Sequence, residues 1–209
     1  MRAVAQHQLL ASVIRELAAE RSPACLLDPR GSFLFVNEAW DQYALANGGA
    51  PSCLGSSLIG TNWLDHIRGV EVRRLHADLL ARALHPRGAR PRPLIQVGES
   101  NTPTTAALVS SRFAPLIAHG GEPVALSIVH SVVRERPIEE VYDVVHRPAD
   151  SYRNGQGQIT QCSCCRRVRD WSEPERWDLV PEVLTRPFTG ALALCELCGE
   201  LHYNGVDAI

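Results

Sequence analysis

The chain has 209 residues, 45% of them apolar and 21% charged, which suits one folded domain with at most a small appendage and is too apolar for a disordered chain. Its 21 basic residues are all arginine, against 23 acidic ones, for a formal charge of −2, so a whole-chain attraction to nucleic acid or anionic membrane is excluded. The absence of lysine also excludes Schiff-base chemistry and a phosphate-loop lysine.

Residues 4–20 read as a helix, because Leu10, Ile14 and Leu17 form an apolar stripe with Val13 beside it. Met1 to Glu20 lacks the uninterrupted apolar stretch of a signal peptide. No run reaches the roughly 18 residues of a membrane helix, so a cytoplasmic protein is expected. Ala24–Leu27 and Phe33–Val36 read as two strands around the turn Asp28-Pro29-Arg30-Gly31, where Asp caps, Pro presets φ and Gly permits a positive φ. Asn37 is the expected N-cap of a helix from Glu38 to Ala46. Residues 50–60 read as a loop. A short helix is expected near Trp63 and a longer one over Val70 to Ala83, with Val72, Leu75 and Leu79 as its buried stripe.

Three strands follow, at 93–97, 106–116 and 123–133, the last two joined by a Gly-type hairpin turn. Residues 134–150 read as a charged connector and 150–158 as a flexible boundary. Strands and helices do not alternate, so the sheet is expected to be antiparallel.

Residues 23–133 resemble a PAS domain. The resemblance is carried by Leu27-Asp28-Pro29-Arg30-Gly31 with Phe33-Leu34-Phe35-Val36-Asn37, by Asn37-Glu38-Ala39-Trp40 through Ala46-Asn47-Gly48, and by Gly60-Thr61-Asn62-Trp63-Leu64. It implies a five-stranded antiparallel sheet, a small cavity under the helices, and a sensing or dimerising role beside a kinase or in a phosphorelay. In light-sensing flavin relatives the position of Trp63 holds a nucleophilic Cys, so that photochemistry is not expected here. Haem relatives use a His on the long helix. His76 lies there and His66 just before it, and a packed or solvent-facing helical His is the default reading of both.

Five of the seven cysteines fall in the last 48 residues. Cys162 and Cys165 form one C-x-x-C pair, and Cys195 and Cys198 a second. Two such pairs in one short window point to a structural metal ion, zinc, held by four thiolates. A reversible dithiol switch and two unrelated pairs of buried thiols are the competing readings. The segment from Ile159 to Asp170, then Trp177, then Cys195-Glu196-Leu197-Cys198 resembles the cysteine module that follows many bacterial PAS and response-regulator domains. That module carries His-Gly where this chain has Leu192-Ala193, and Pro where it has Glu196. Cys164 stands at a variable position, and His202 is a remote alternative ligand. Four thiolates leave no open coordination position, so zinc hydrolysis is not expected. Residues 160–209 hold five Arg against eight acidic residues, so nucleic-acid binding is not expected. Arg166, Arg167 and Arg169 read as a solvated turn or as a docking surface for an acidic partner.

The expectation is an α+β protein. Residues 1–21 form an amphipathic helix, 22–134 a PAS-type five-stranded antiparallel sheet with helices on one face, 135–158 a linker, and 159–209 a small zinc-ribbon-like module. No catalytic constellation is visible, so the chain is not expected to be an enzyme. The expected function is signal transduction: a PAS sensor, its cavity ligand unknown, coupled to a structural zinc module with ligands Cys162, Cys165, Cys195 and Cys198. The expected partner is a protein such as a histidine kinase or response regulator, in a phosphorelay. A homodimer is expected, with the N-terminal helix as its seam because the apolar stripe needs a cover. The alternatives are a thiol redox sensor that releases zinc on oxidation and a transcription-associated zinc protein.

Overall fold

The computed structural model describes residues 2–46, 49, 51–85, 92–184 and 188–204, with side chains described from 4 to 201 within those limits. The chain divides into two compact units, one of residues 1–67, 76–95 and 111–131, the other of 68–75, 96–110 and 132–209.

The N-terminal helix is α1 (Arg2–Ala18). It is followed by β1 (Ala24–Leu27) and β2 (Phe33–Val36), then α2 (Glu38–Ala46), α3 (Gly55–Leu58) and α4 (Val70–Leu84). The remaining strands of the first sheet are β3 (Leu94–Glu99), β4 (Thr105–Ile117) and β5 (Pro123–Pro137). Their order is β2-β1-β5-β4-β3, and the five-stranded antiparallel sheet is the one the PAS resemblance implies. The β1–β2 turn forms for the expected reasons. Asp28 Oδ1 accepts from the backbone N–H of Arg30 and of Ser32, both at 2.8 Å, and Gly31 has φ +85°.

Asn37 caps α2, its Oδ1 accepting from Trp40 N–H at 3.0 Å. It also accepts from Ala24 N–H, while its Nδ2 donates to the carbonyls of Leu17, Glu20 and Ser22. One buried amide therefore ties the end of α1, the start of β1 and the start of α2 together.

The β1–β5 register, Ala24↔Val129 through Leu27↔Leu126, sorts the sheet into two faces by its period of two. Ala24, Leu26, Ala125 and Leu116 lie on one face and pack against Leu17 of α1, with Leu10, Val13 and Ile14 partly buried beside it. The α1 stripe thus has a cover within its own chain, which corrects the reason for making it a dimer seam. The expected loop at 50–60 also holds structure: a 3-10 turn at Pro51–Cys53 and the single-turn α3. Gly and Ser there lower helix propensity without forbidding a turn that buries Leu58.

In the second unit, the expected linker is packed. The single-turn helix α5 (Ile138–Val141) buries Ile138 among Ala106, Leu179 and Leu184. A 3-10 turn at Ala149–Tyr152 buries Tyr152 among Val168, Val180 and Val183. Beyond it come β6 (Thr160–Cys162), β7 (Val168–Arg169), β8 (Trp177–Asp178), α6 (Pro181–Leu184), β9 (Ala191–Ala193) and α7 (Glu196–Asn204). A second sheet has the order β8-β7-β6-β9; β6 pairs antiparallel with β7 and parallel with β9.

Candidate metal centre

The parallel β6–β9 pairing builds the site. Its register sets Cys162 beside Ala193, two residues before Cys195, so thiols about thirty positions apart in the chain arrive at one place. The first pair rides a tight turn between β6 and β7. Cys162 N–H donates to the Arg167 carbonyl at 2.7 Å and Arg166 N–H to the Cys162 carbonyl at 3.0 Å. Arg166 closes that turn with φ +64°, the one positive φ outside glycine among the described residues. The second pair sits at the start of α7. Cys195 immediately precedes the helix and takes the place of a capping side chain, its Sγ accepting from Cys198 N–H at 3.5 Å. Cys195 N–H in turn donates to Cys162 Sγ at 3.4 Å. Helix N-termini stabilise thiolates through their unpaired N–H groups and dipole.

The structure brings together the four sulfurs named from the sequence: those of Cys162, Cys165, Cys195 and Cys198 lie within 4.8 Å of one another, all buried. A tetrahedral zinc with Zn–S near 2.3 Å would space its sulfurs about 3.8 Å apart, and the Cys165–Cys195 separation is 3.6 Å. Hydrogen bonds from the thiols of Cys164, Cys165, Cys195 and Cys198 push the Cys162 thiol far down in pKa. The same contacts, with Cys162 first, push Cys165 and Cys198 up, and Cys195 also rises chiefly through Cys162. A divalent cation is what would allow all four to ionise in so buried a place. The residues present fit such an ion.

Trp177, Leu194 and Cys164 pack around the cluster. The His202 side chain lies outside the described residues. Asn101, buried, donates to the Cys165 carbonyl at 2.9 Å, which holds the first turn from outside.

The three arginines after Cys165 correct an expectation. Arg167 pairs with Glu99 at 3.1 Å and stacks over Tyr142 at 4.6 Å, with only 14% of its side chain exposed. Burial opposes its charge, but Cys165 and Glu99 outweigh that and hold it more firmly protonated than usual. Arg166 donates to the carbonyls of Asn101 and Leu184. Arg169 donates to the Pro174 carbonyl and lies over Trp171. These side chains brace the module and do not form a solvated knot or an open basic patch.

Asp170 and Asp178 were not singled out in the sequence. Asp170, fully buried, accepts from Ser172 Oγ at 2.6 Å and from Arg147 at 2.6 Å. Ser172 first, then Arg147, hold its carboxyl down at about 2 against the burial that would raise it. Tyr152 donates to Asp178 at 2.7 Å. Arg169-Asp170 followed by Trp171-Ser172-Glu173-Pro174 gives no sequence signal for such a network.

In the first unit, His66, His76 and His130 meet an aromatic cluster. Trp63 packs on Phe33, Trp40, His76 and His130 with ring centroids 5.7–6.3 Å apart. Trp63 Nε1 donates to His76 Nδ1 at 3.4 Å, and His66 Nε2 lies 2.7 Å from Thr61 Oγ1. Both helical histidines are thus engaged by side chains of this unit. His130, beside Ser111 Oγ at 2.8 Å, is held neutral by burial, its pKa lowered to about 4.

No helix among the described residues is long and apolar enough to cross a membrane. No protein-family model matches the sequence, and no curated protein matches it. Solved structures do. The PAS domain of BvgS from Bordetella pertussis is similar at 17% identity and TM-score 0.46, covering 62% of this chain and 89% of that one. A LOV protein from Rhodobacter sphaeroides is similar at 12% identity and TM-score 0.43, covering 61% and 68%. A sensory box sensor histidine kinase from Vibrio cholerae is similar at 15% identity and TM-score 0.39, covering 63% and 94%. At these identities nothing that those proteins bind transfers to this chain. What this chain itself presents is a five-stranded antiparallel sheet with its helices and, separately, four buried thiols that could bind one metal ion.

Proposed function

We propose that the chain is a non-catalytic cytoplasmic signal-transduction protein. Residues 22–134 act as a PAS sensor, and residues 159–209 form a module held together by one zinc ion that docks a partner protein. A histidine kinase or response regulator in a phosphorelay is the partner class that the family likeness favours. The observation that carries the reading is the set of four buried sulfurs within 4.8 Å. An all-thiolate shell selects zinc over the hard cations calcium and magnesium. It fills the coordination sphere with protein, so the ion would organise the fold and leave no position for substrate or activated water.

The small size of the module supports a structural role. Its strands β6 to β9 are two or three residues long, too short to be stable without a staple. The internal use of Arg166, Arg167 and Arg169 counts against a nucleic-acid footprint. The homodimer rests on family likeness, since the α1 stripe is already covered.

Native mass spectrometry of the freshly purified chain tests the reading. It should show one zinc per chain, and Cys195→Ser should show none. Adding purified kinase or response regulator should give a complex that forms with zinc-loaded protein and fails with the metal-free form. A chain that binds no metal, or one that binds its partner equally without metal, would overturn it.

A further inference from the structure

The outer face of α7 (Glu196–Asn204) carries side chains that the metal centre does not use. At about 100° per residue, Glu196 and Glu200 form one stripe and Leu197 and Leu201 the stripe beside it. Cys198 and, just before the helix, Cys195 fall on the far side, in the thiol cluster. Leu197 and Leu201 are 57% and 44% exposed, and both glutamates are exposed. Neither glutamate has an ion-pair partner among the described residues, and Arg166, Arg167, Arg169 and Arg176 are engaged elsewhere.

A complementary surface lies in the same unit, at the end of β5. The pairing of β5 with β1 stops at Val129, and residues 132–137 are all exposed. By the strand period of two, Val132, Arg134 and Arg136 share one face, with Val133 and Glu135 on the other. Val132 is 55% exposed, and neither arginine has an ion-pair partner among the described residues. Alternate residues of a strand are about 6.7 Å apart, and residues four apart on a helix about 6 Å. Two carboxylates on α7 therefore match two guanidiniums on β5 in spacing as well as in charge, with apolar side chains beside both.

We propose that a second copy of this chain docks here: the α7 face of each copy, Leu197 and Leu201 with Glu196 and Glu200, lies on Val132, Arg134 and Arg136 of the other. This rests on the homodimer reading and moves its seam from α1 to the second unit. Every copy carries both surfaces, so a two-fold axis makes the contact twice and closes the pair. Burial of the leucines and Val132 supplies the attraction, and the opposite charges set orientation and exclude wrong registers.

The test is sedimentation velocity of the full chain, as purified, over a concentration series. Wild type should reach a dimer and go no further, and raised salt should weaken it. Two double variants place like charges opposite each other: Glu196→Arg with Glu200→Arg, and Arg134→Glu with Arg136→Glu. Each alone should dimerise at least about tenfold more weakly. Mixed in equal amounts, the two restore opposite charges at both contacts and should form a heterodimer of near wild-type affinity, which also shows that both are folded. Leu201→Ser, which leaves the start of α7 and its charges intact, should weaken the dimer as well. A dimer indifferent to Arg134→Glu with Arg136→Glu and to Leu201→Ser, a mixture of folded variants that stays monomeric, or species that keep growing with concentration would overturn this surface while leaving the chain self-associating. A wild-type chain that is monomeric at every concentration sinks the homodimer reading and the surface with it.

Discussion

The two units of this chain are held together by different means. In the first, apolar packing is joined by one buried amide, that of Asn37. Leu17, Leu26, Leu116 and Ala125 meet on one face of the sheet, and Phe33, Trp40 and Trp63 meet as an aromatic cluster. In the second, beside small apolar clusters around Ile138 and Tyr152, strands of two or three residues are tied by four thiols, an Arg147–Asp170 pair, a Tyr152–Asp178 hydrogen bond and an Arg167–Glu99 pair. Long strands bury enough apolar area to offset chain entropy. Short ones need a local staple of higher energy per residue. The contrast makes the two units respond to different perturbations.

The largest expected effect is metal loss. Cys195→Ser, or a strong chelator, should remove on the order of 10 kcal/mol of binding free energy that is also folding free energy. Hydrogen exchange should then show residues 160–204 unprotected while β1, β2 and β5 stay protected. Leu26→Ala should do the reverse. It removes a fully buried side chain from the first unit and should cost about 2–5 kcal/mol, read as a lower Tm that added zinc does not restore.

Next comes Asp170→Asn, which weakens the acceptor for Arg147 and Ser172. It should cost about 1–3 kcal/mol in the second unit, measured by denaturant unfolding of the zinc-loaded protein. The pH response of the first unit should follow His130. Its ordinary pKa of 6.5 falls to about 4 in the fold, so below 6.5 the unfolded chain takes up a proton that the folded chain refuses until about 4. Stability should therefore fall as pH drops through that window, by about 1–3 kcal/mol, and be unaffected above it. His130→Gln should flatten the profile. At the small end, Arg153→Gln breaks an exposed pair with Asp150 and should change stability by no more than about 0.5 kcal/mol.

The sequence made the first unit legible because its signals are local. Asp28 and Gly31 define a turn, Asn37 a cap, and the β5 run a long strand, and each appears where its chemistry demands. The four thiols were legible from spacing alone. What spacing could not show is how they meet. The β6–β9 pairing is parallel and joins residues about thirty apart, and two- or three-residue strands have no readable period. The arginines misled for a related reason. A run of charge reads as solvated, but Arg167 finds Glu99 and Tyr142 from distant parts of the chain. The 135–158 stretch reads as a linker because it is charged and then polar and Gly-bearing, yet Ile138 and Tyr152 each fill a core.

One measurement bears most directly on the proposed closed thiolate centre: hydrogen exchange across residues 160–204 of the intact protein, with zinc bound and after its removal, alongside the zinc content of the same samples. One zinc per chain is expected, with strong protection of β6, β9 and α7 that vanishes with the ion. Equal protection in the metal-free protein would contradict it.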